Sequence, residues 1–165
     1  MLIRLGGAAR CDGAVSRDSR RRSFEGECPS DNTLRVLPRL RFDEQTTKLI
    51  ERMDVLWLQP NSFAGPFEIE HWTQVYSSLL RLVDLVALQP NIAINLFIVS
   101  DAARKDKVMR ELNRPTFVAL RRRLVNLYKF ISHEAFDGSV EAAGAVAGPL
   151  DVEIINDIAQ VCSRR

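Results

Sequence analysis

Hydrophobic positions recur with helical and strand periods along the chain from residue 42 onward. Val75, Leu79 and Leu82 share one face of a helix, whereas the almost continuous apolar run at 94–99 is typical of a strand buried on both faces. The pattern predicts, in chain order, a helix at 43–52, strands at 55–58 and 67–71, a helix at 73–88, a strand at 92–100, helices at 101–112 and 116–125, a strand at 127–131 and a closing helix at 150–161. This order predicts an α/β fold with a mixed central sheet flanked by helices.

The first 40 residues show no sustained period and are rich in Gly, Ser, Arg and Asp. We expect residues 1–40 to form a disordered basic arm and residues 41–165 to form the α/β domain. Residues 1–41 carry nine arginines against five acidic residues, so a nucleic-acid-contacting arm is the functional alternative to a solvated tail. The Ala/Gly-rich stretch at 139–148 is expected to be a mobile loop.

The composition is that of an ordinary globular domain, with 46% hydrophobic and 27% charged residues in a chain of 165. The apolar stretches are too short for a membrane span, and an arginine-rich N-terminus argues against a secretory signal. Cys11, Cys28 and Cys162 are odd in number and far apart, which favours free thiols and a cytoplasmic location over a disulfide framework.

Carboxylates accompany the two adjacent strands predicted in the middle of the chain. Asp54 precedes the first strand, and alternation on the second places Glu68 and Glu70 on one face with Phe67 and Ile69 on the other. A buried carboxylate is costly unless a cation compensates it, so three converging carboxylates indicate a divalent metal ion. Two alternatives stay open here. Asp54 could cap the preceding turn, and the two glutamates could form the solvated face of an edge strand.

This order of elements, with one acid before a strand and a Glu-x-Glu motif on the next, resembles the PD-(D/E)XK nuclease superfamily over roughly residues 42–135. Asp54 matches the first Asp of the family motif, and Glu68 matches its (D/E) position. Glu70 stands where most members have Lys, although some restriction enzymes of the superfamily carry Glu-x-Glu. The resemblance implies a restriction-endonuclease-like mixed sheet flanked by helices.

The same resemblance implies Mg²⁺-dependent (or Mn²⁺-dependent) hydrolysis of phosphodiester bonds in DNA. Asp54, Glu68 and the carbonyl of Ile69 are then expected to hold the metal ion. Glu70 would bind metal or orient the attacking water, and Arg81 would stabilise the developing charge. The missing Lys keeps a second hypothesis open, in which the domain is a non-catalytic nuclease-fold module that binds nucleic acid or a protein partner.

A basic set follows the central apolar strand, with Arg104, Lys105 and Lys107 at its start. These side chains are candidates for contacts with DNA phosphates, although such a set is usually a solvated helix face. The resemblance implies DNA as the partner, and we expect no membrane association, with a homodimer as one possible assembly.

Overall fold

The computed structural model of this protein describes residues 2–17, 20, 32–60, 62–70, 75–92, 94–115, 117, 127–145 and 150–162. Within these residues six strands form one sheet in the order β1-β2-β3-β4-β5-β6. The strands are β1 (Asp12–Val15), β2 (Val55–Gln59), β3 (Ser62–Glu70), β4 (Leu96–Ser100), β5 (Tyr128–Ser132) and β6 (Gln160–Val161). The helices are α1 (Leu2–Ala8), α2 (Glu44–Ile50), α3 (Val75–Leu88), α4 (Lys105–Leu112), α5 (His133–Ala145) and α6 (Ile154–Ile158).

The sheet is mixed, as the sequence predicts. Strands β1, β2 and β3 form an antiparallel meander, after which β4 and β5 run parallel to β3 and β6 returns antiparallel. Helix α3 makes the crossover from β3 to β4, because two parallel neighbours require a long connection. The parallel direction of β3, β4 and β5 brings their carboxyl ends to one edge of the sheet.

Helices cover both faces of this sheet. All five residues of β4 are buried, which confirms the prediction of a central strand. Leu96 and Ile98 pack on the face covered by α2, α3 and α4, here called the front face. Phe97 and Val99 pack on the face covered by α1, α5 and α6, here called the back face.

The start of the chain differs from the predicted arm. Residues 2–17 form α1 and β1, and β1 pairs with β2 along its whole length. Leu5 is 1% exposed, and the indole N–H of Trp57 donates a hydrogen bond to the carbonyl of Leu2 at 3.2 Å. Residues 2–17 therefore belong to the folded domain, whereas residues 21–31 of the predicted arm lie outside the described residues.

Two further stretches differ from the sequence-based expectation. Helix α5 continues to Ala145, so residues 139–145 of the loop predicted at 139–148 are helical. The helix predicted at 150–161 is shorter, because its last part forms the edge strand β6 beside β5. The helix predicted at 116–125 lies almost entirely outside the described residues.

No helix in the described ranges has the length and apolar character needed to cross a bilayer. Cys11 and Cys162 are free thiols buried in the domain, and Cys28 lies outside the described residues.

Candidate active site

The three acids singled out from the sequence meet at one edge of the sheet. Val55 at the start of β2 pairs with Phe67 of β3, which places Asp54 beside Glu68. Further along the same edge, Glu70 at the end of β3 pairs with Ser100 at the end of β4. We call this edge, which holds the start of β2 and the ends of β1, β3, β4 and β5, the acidic edge.

Asp54 is fixed across the hairpin. Its carboxylate oxygen Oδ2 accepts a hydrogen bond of 2.9 Å from the backbone N–H of Ile69 on β3. The side chain therefore bonds to the neighbouring strand. This contact differs from the alternative in which Asp54 caps the turn that precedes it. Asp54 is partly exposed.

Glu68 is fully buried and faces α3. Phe67 and Ile69 pack on the back face, so alternation directs Glu68 to the front face, where Arg81 projects from α3. Arg81 donates from Nε to Glu68 Oε1 at 2.8 Å and from Nη2 to the other carboxylate oxygen, which is a bidentate pair. Ser78 Oγ accepts from the same Nη2 at 3.1 Å.

Burial raises the pKa of Glu68 to about 8, against the opposing effect of its hydrogen bond with Arg81. The nearby Asp54 carboxylate raises this pKa further, because two negative charges repel each other. The site thus holds two adjacent carboxylates whose joint ionisation requires more positive charge than Arg81 supplies.

Glu70 is buried as well, with 3% of its surface exposed. Burial raises its pKa, a hydrogen bond with Ser78 opposes this, and the charge of Asp54 adds to the rise. Its oxygen Oε1 is buried and has no hydrogen-bond partner among the described residues. The backbone of Glu70 is anchored separately, since Ser100 Oγ donates to its carbonyl at 2.8 Å. The alternative of a solvated glutamate face is wrong, because both glutamates are buried.

The donor set of the acidic edge differs from a cage of three or more ligands. Within the described part of the chain, no group of three or more His, Cys, Asp or Glu side chains could hold a metal ion. An all-carboxylate cage is therefore not formed by Asp54, Glu68 and Glu70. Two adjacent carboxylates do suit Mg²⁺, which usually binds one or two protein carboxylates and keeps several waters. Each carboxylate oxygen offers two lone pairs, so the Arg81 pair leaves acceptor capacity on Glu68.

The three basic residues expected to contact nucleic acid are placed differently from one another. Arg104 ends a short 3₁₀ turn (Ala102–Arg104) after β4, and its charge lowers the pKa of Glu70, so it lies towards the acidic edge. Lys105 instead donates a hydrogen bond to the side chain of Gln160 on β6. Lys107 is partly exposed on α4. The three side chains thus have different surroundings, and their contact with nucleic acid stays a prediction.

Ser78 and Ser100 belong to the site and were not found from the sequence. Both are buried, and both bond to groups of the acidic edge. Ser78 lies three residues before Arg81, so the spacing that places two side chains on one helix face is the signal that could have identified it. Ser100 carried no such signal, because its role depends on the register between β3 and β4.

A family model described as the Type II restriction enzyme NmeDI C-terminal domain matches residues 1–156. The matched range includes α1 and β1 as well as the acidic edge. No curated protein and no solved structure matches the chain.

Proposed function

This chain belongs to the family of the Type II restriction enzyme NmeDI C-terminal domain, and we propose that it hydrolyses phosphodiester bonds of DNA with Mg²⁺ or Mn²⁺ as the cofactor. The observation that carries the proposal is the pair formed by Asp54 and Glu68. Two carboxylates lie side by side at a sheet edge, one partly exposed and the other fully buried. Such a pair is costly for the fold alone, and a bound cation removes the cost.

The ligands proposed for the ion are the carboxylates of Asp54 and Glu68 and the carbonyl of Ile69. The chemistry that a divalent ion supplies at such a position is Lewis-acid polarisation of the scissile phosphate. The hydrogen bond from the Ile69 N–H holds the Asp54 carboxylate in a fixed orientation. This placement, with an acid before β2 and Glu-x-Glu at the end of β3, also supports membership of the PD-(D/E)XK superfamily.

Glu70 is proposed as the group that accepts a proton from the attacking water. It has a buried oxygen without a hydrogen-bond partner among the described residues, and burial raises its pKa towards the range in which a general base works well. Arg81 is proposed as a positioning residue, since its guanidinium is already engaged by Glu68 and Ser78. It keeps Glu68 oriented and offsets its charge.

A cleavage assay tests the proposal directly. The full chain is incubated with supercoiled plasmid and with linear DNA, in Mg²⁺, in Mn²⁺ and in EDTA. We expect metal-dependent cleavage by the wild type and its loss in Asp54→Asn and Glu68→Gln, which keep the side-chain shape but remove a ligand charge. Asp84→Asn is the matched control, because Asp84 is exposed on α3 one turn beyond Arg81.

Calorimetry with Mn²⁺ gives a second measure that is independent of DNA cleavage. We expect the wild type to bind Mn²⁺ at least tenfold more tightly than Asp54→Asn, with Asp84→Asn unchanged. Equal and negligible binding by the wild type and Asp54→Asn, with and without a DNA duplex, would refute the metal site. Retained DNA binding without cleavage would then favour the non-catalytic module.

A further inference from the structure

A group of arginines lies beside the acidic edge, next to β1. Val15 at the end of β1 pairs with Val55 at the start of β2, so Ser16 lies beside Asp54. The backbone N–H of Ser16 donates to the carbonyl of Asp54 at 3.3 Å. Ser16, directly after β1, is therefore bonded to the backbone of Asp54, a residue of the proposed metal site.

Three arginines line a surface cavity of about 140 Å³ at this place, namely Arg17, Arg20 and Arg35. The cavity also includes Glu51 and Met53, the residue directly before Asp54. Three arginines and one glutamate give the cavity a net positive charge, and the other residues that line it are apolar. We call it the arginine cavity.

Arg20 gives the arginine cavity a fixed shape. Its Nε donates to the carbonyl of Val15 at 3.2 Å, and its Nη2 donates to the carbonyl of Leu34 at 3.1 Å. Its Nη1 donates to the carbonyl of Arg35. One guanidinium thus ties the end of β1 to the backbone of Leu34 and Arg35.

Arg17 and Arg35 remain accessible to a ligand. Both are exposed, and 81% of the Arg17 side chain is in contact with solvent. Arg17 pairs with Glu51 at 3.0 Å, and an ion pair this exposed holds its members only weakly. The site combines two exposed guanidinium groups with a pre-formed concave surface, which suits the oxygens of a phosphate diester.

We infer that the arginine cavity binds backbone phosphates of the DNA strand beside the bond that is cleaved. This inference rests on the proposed function, since it places the scissile phosphate at Asp54 and Glu68. Met53, which lines the cavity, directly precedes Asp54, so the cavity adjoins the position of the scissile phosphate. With Arg104 on the β4 side, cations flank the acidic edge at both ends.

Salt-dependent binding to a labelled DNA duplex of arbitrary sequence tests the inference, with EDTA present so that the duplex stays intact. Fluorescence anisotropy is measured for the full chain between 50 and 200 mM KCl. The variants are Arg17→Ala, Arg35→Ala, the double variant and Glu51→Gln. Lys48→Ala is the matched control, because Lys48 is also an exposed cation paired with a glutamate, Glu44, outside the arginine cavity.

Each phosphate contact makes the slope of log K against log salt steeper by about 0.9. At 0.1 M salt, relative to 1 M, one such contact corresponds to an affinity about eightfold higher. We expect a loss of this size for Arg17→Ala and for Arg35→Ala, and about sixtyfold for the double variant. Glu51→Gln should bind more tightly than the wild type, because it frees Arg17. Lys48→Ala should keep the wild-type slope.

Wild-type affinity and slope in both arginine variants would overturn the inference, and so would an equal loss in Lys48→Ala, which would indicate a general effect of charge. Thermal midpoints close to that of the wild type show that each variant is folded. Cleavage by the wild type combined with unchanged slopes would refute the cavity alone. Reduced slopes without any cleavage would refute the catalytic proposal, and the arginine cavity would then be a phosphate-binding site with no cleaved bond beside it.

Discussion

Two adjacent glycines of α1 allow a sharp test of how the start of the chain is packed. Gly6 is buried and faces Trp57, and a Cβ atom at this position would lie 2.7 Å from the indole Nε1 and 2.9 Å from Cε2. Gly7 is exposed, and a Cβ atom there would meet nothing within 4 Å. The same substitution to alanine should therefore have opposite effects on stability at the two positions.

The expected magnitudes follow from these contacts. Alanine in place of glycine favours the middle of a helix by about 0.5–1 kcal/mol, and part of this gain should appear for Gly7→Ala, near the end of α1. In Gly6→Ala, overpacking against Trp57 costs about 1–3 kcal/mol. Displacing the indole from the Leu2 carbonyl costs about 0.5–1.5 kcal/mol more. We therefore expect Gly6→Ala to lower the free energy of unfolding by about 1–3 kcal/mol.

Urea unfolding followed by circular dichroism measures both effects. At about 3 °C per kcal/mol, the thermal midpoint should fall by several degrees for Gly6→Ala and rise slightly for Gly7→Ala. Trp57→Phe removes the contacting indole atoms, so it should reduce the cost of Gly6→Ala in a double-mutant cycle. Equal effects of the two alanine substitutions would refute the packing of α1 on β2 and would restore the interpretation of this segment as an arm.

Two further outcomes are expected. Deleting residues 1–16 should abolish cooperative unfolding, because it exposes β2 and removes the buried side chains of Leu2, Leu5 and Val15. Burial of each of these side chains stabilises the fold by about 1.5–3 kcal/mol. An unchanged thermal midpoint would contradict this prediction. The metal-free protein should lose stability as the pH rises from about 5 to 8, by up to about 1.4 kcal/mol per pH unit. The folded-state pKa of Glu68 is raised from 4.5 to about 8, so the folded protein binds this proton more tightly than the unfolded chain does. Glu68→Gln has no ionisable group at this position, so its urea unfolding at each pH is the reference. The prediction is wrong if the free energy of unfolding changes with pH in parallel for the wild type and Glu68→Gln.

The parts of the fold that the sequence predicts are those with long or uninterrupted patterns. The run around Leu96–Ser100 and the helical stripe of Val75–Leu88 each contain their own signal, and the structure has both. Helix α1 has seven residues, two of them glycine, so its helix propensity is low. It forms because Leu2 and Leu5 pack against residues more than 50 positions away, such as Trp57, and no local pattern reports such contacts.

The candidate site also has parts that the sequence predicts and parts that depend on tertiary packing. The proximity of Asp54, Glu68 and Glu70 could be predicted, because strand alternation and one hairpin place them together. The pairing of Arg81 with Glu68 could not, since it depends on how α3 rotates about its axis when it packs on the sheet. Arg104 and Lys105 are adjacent in sequence, yet the change from a 3₁₀ turn to α4 sends one towards Glu70 and the other towards Gln160.

Strand β1 is an edge strand of the sheet. The unpaired backbone groups of an edge strand can normally pair with a strand of another chain. Its outward carbonyls are already occupied, because Gly13 accepts from the N–H of Leu34 at 2.8 Å and Val15 accepts from Arg20. The segment at 34–35 thus prevents a strand of another molecule from pairing with the open side of β1. A protein without the Arg20 contacts would expose unpaired backbone groups of β1. We expect it to self-associate at high concentration before it loses any secondary structure.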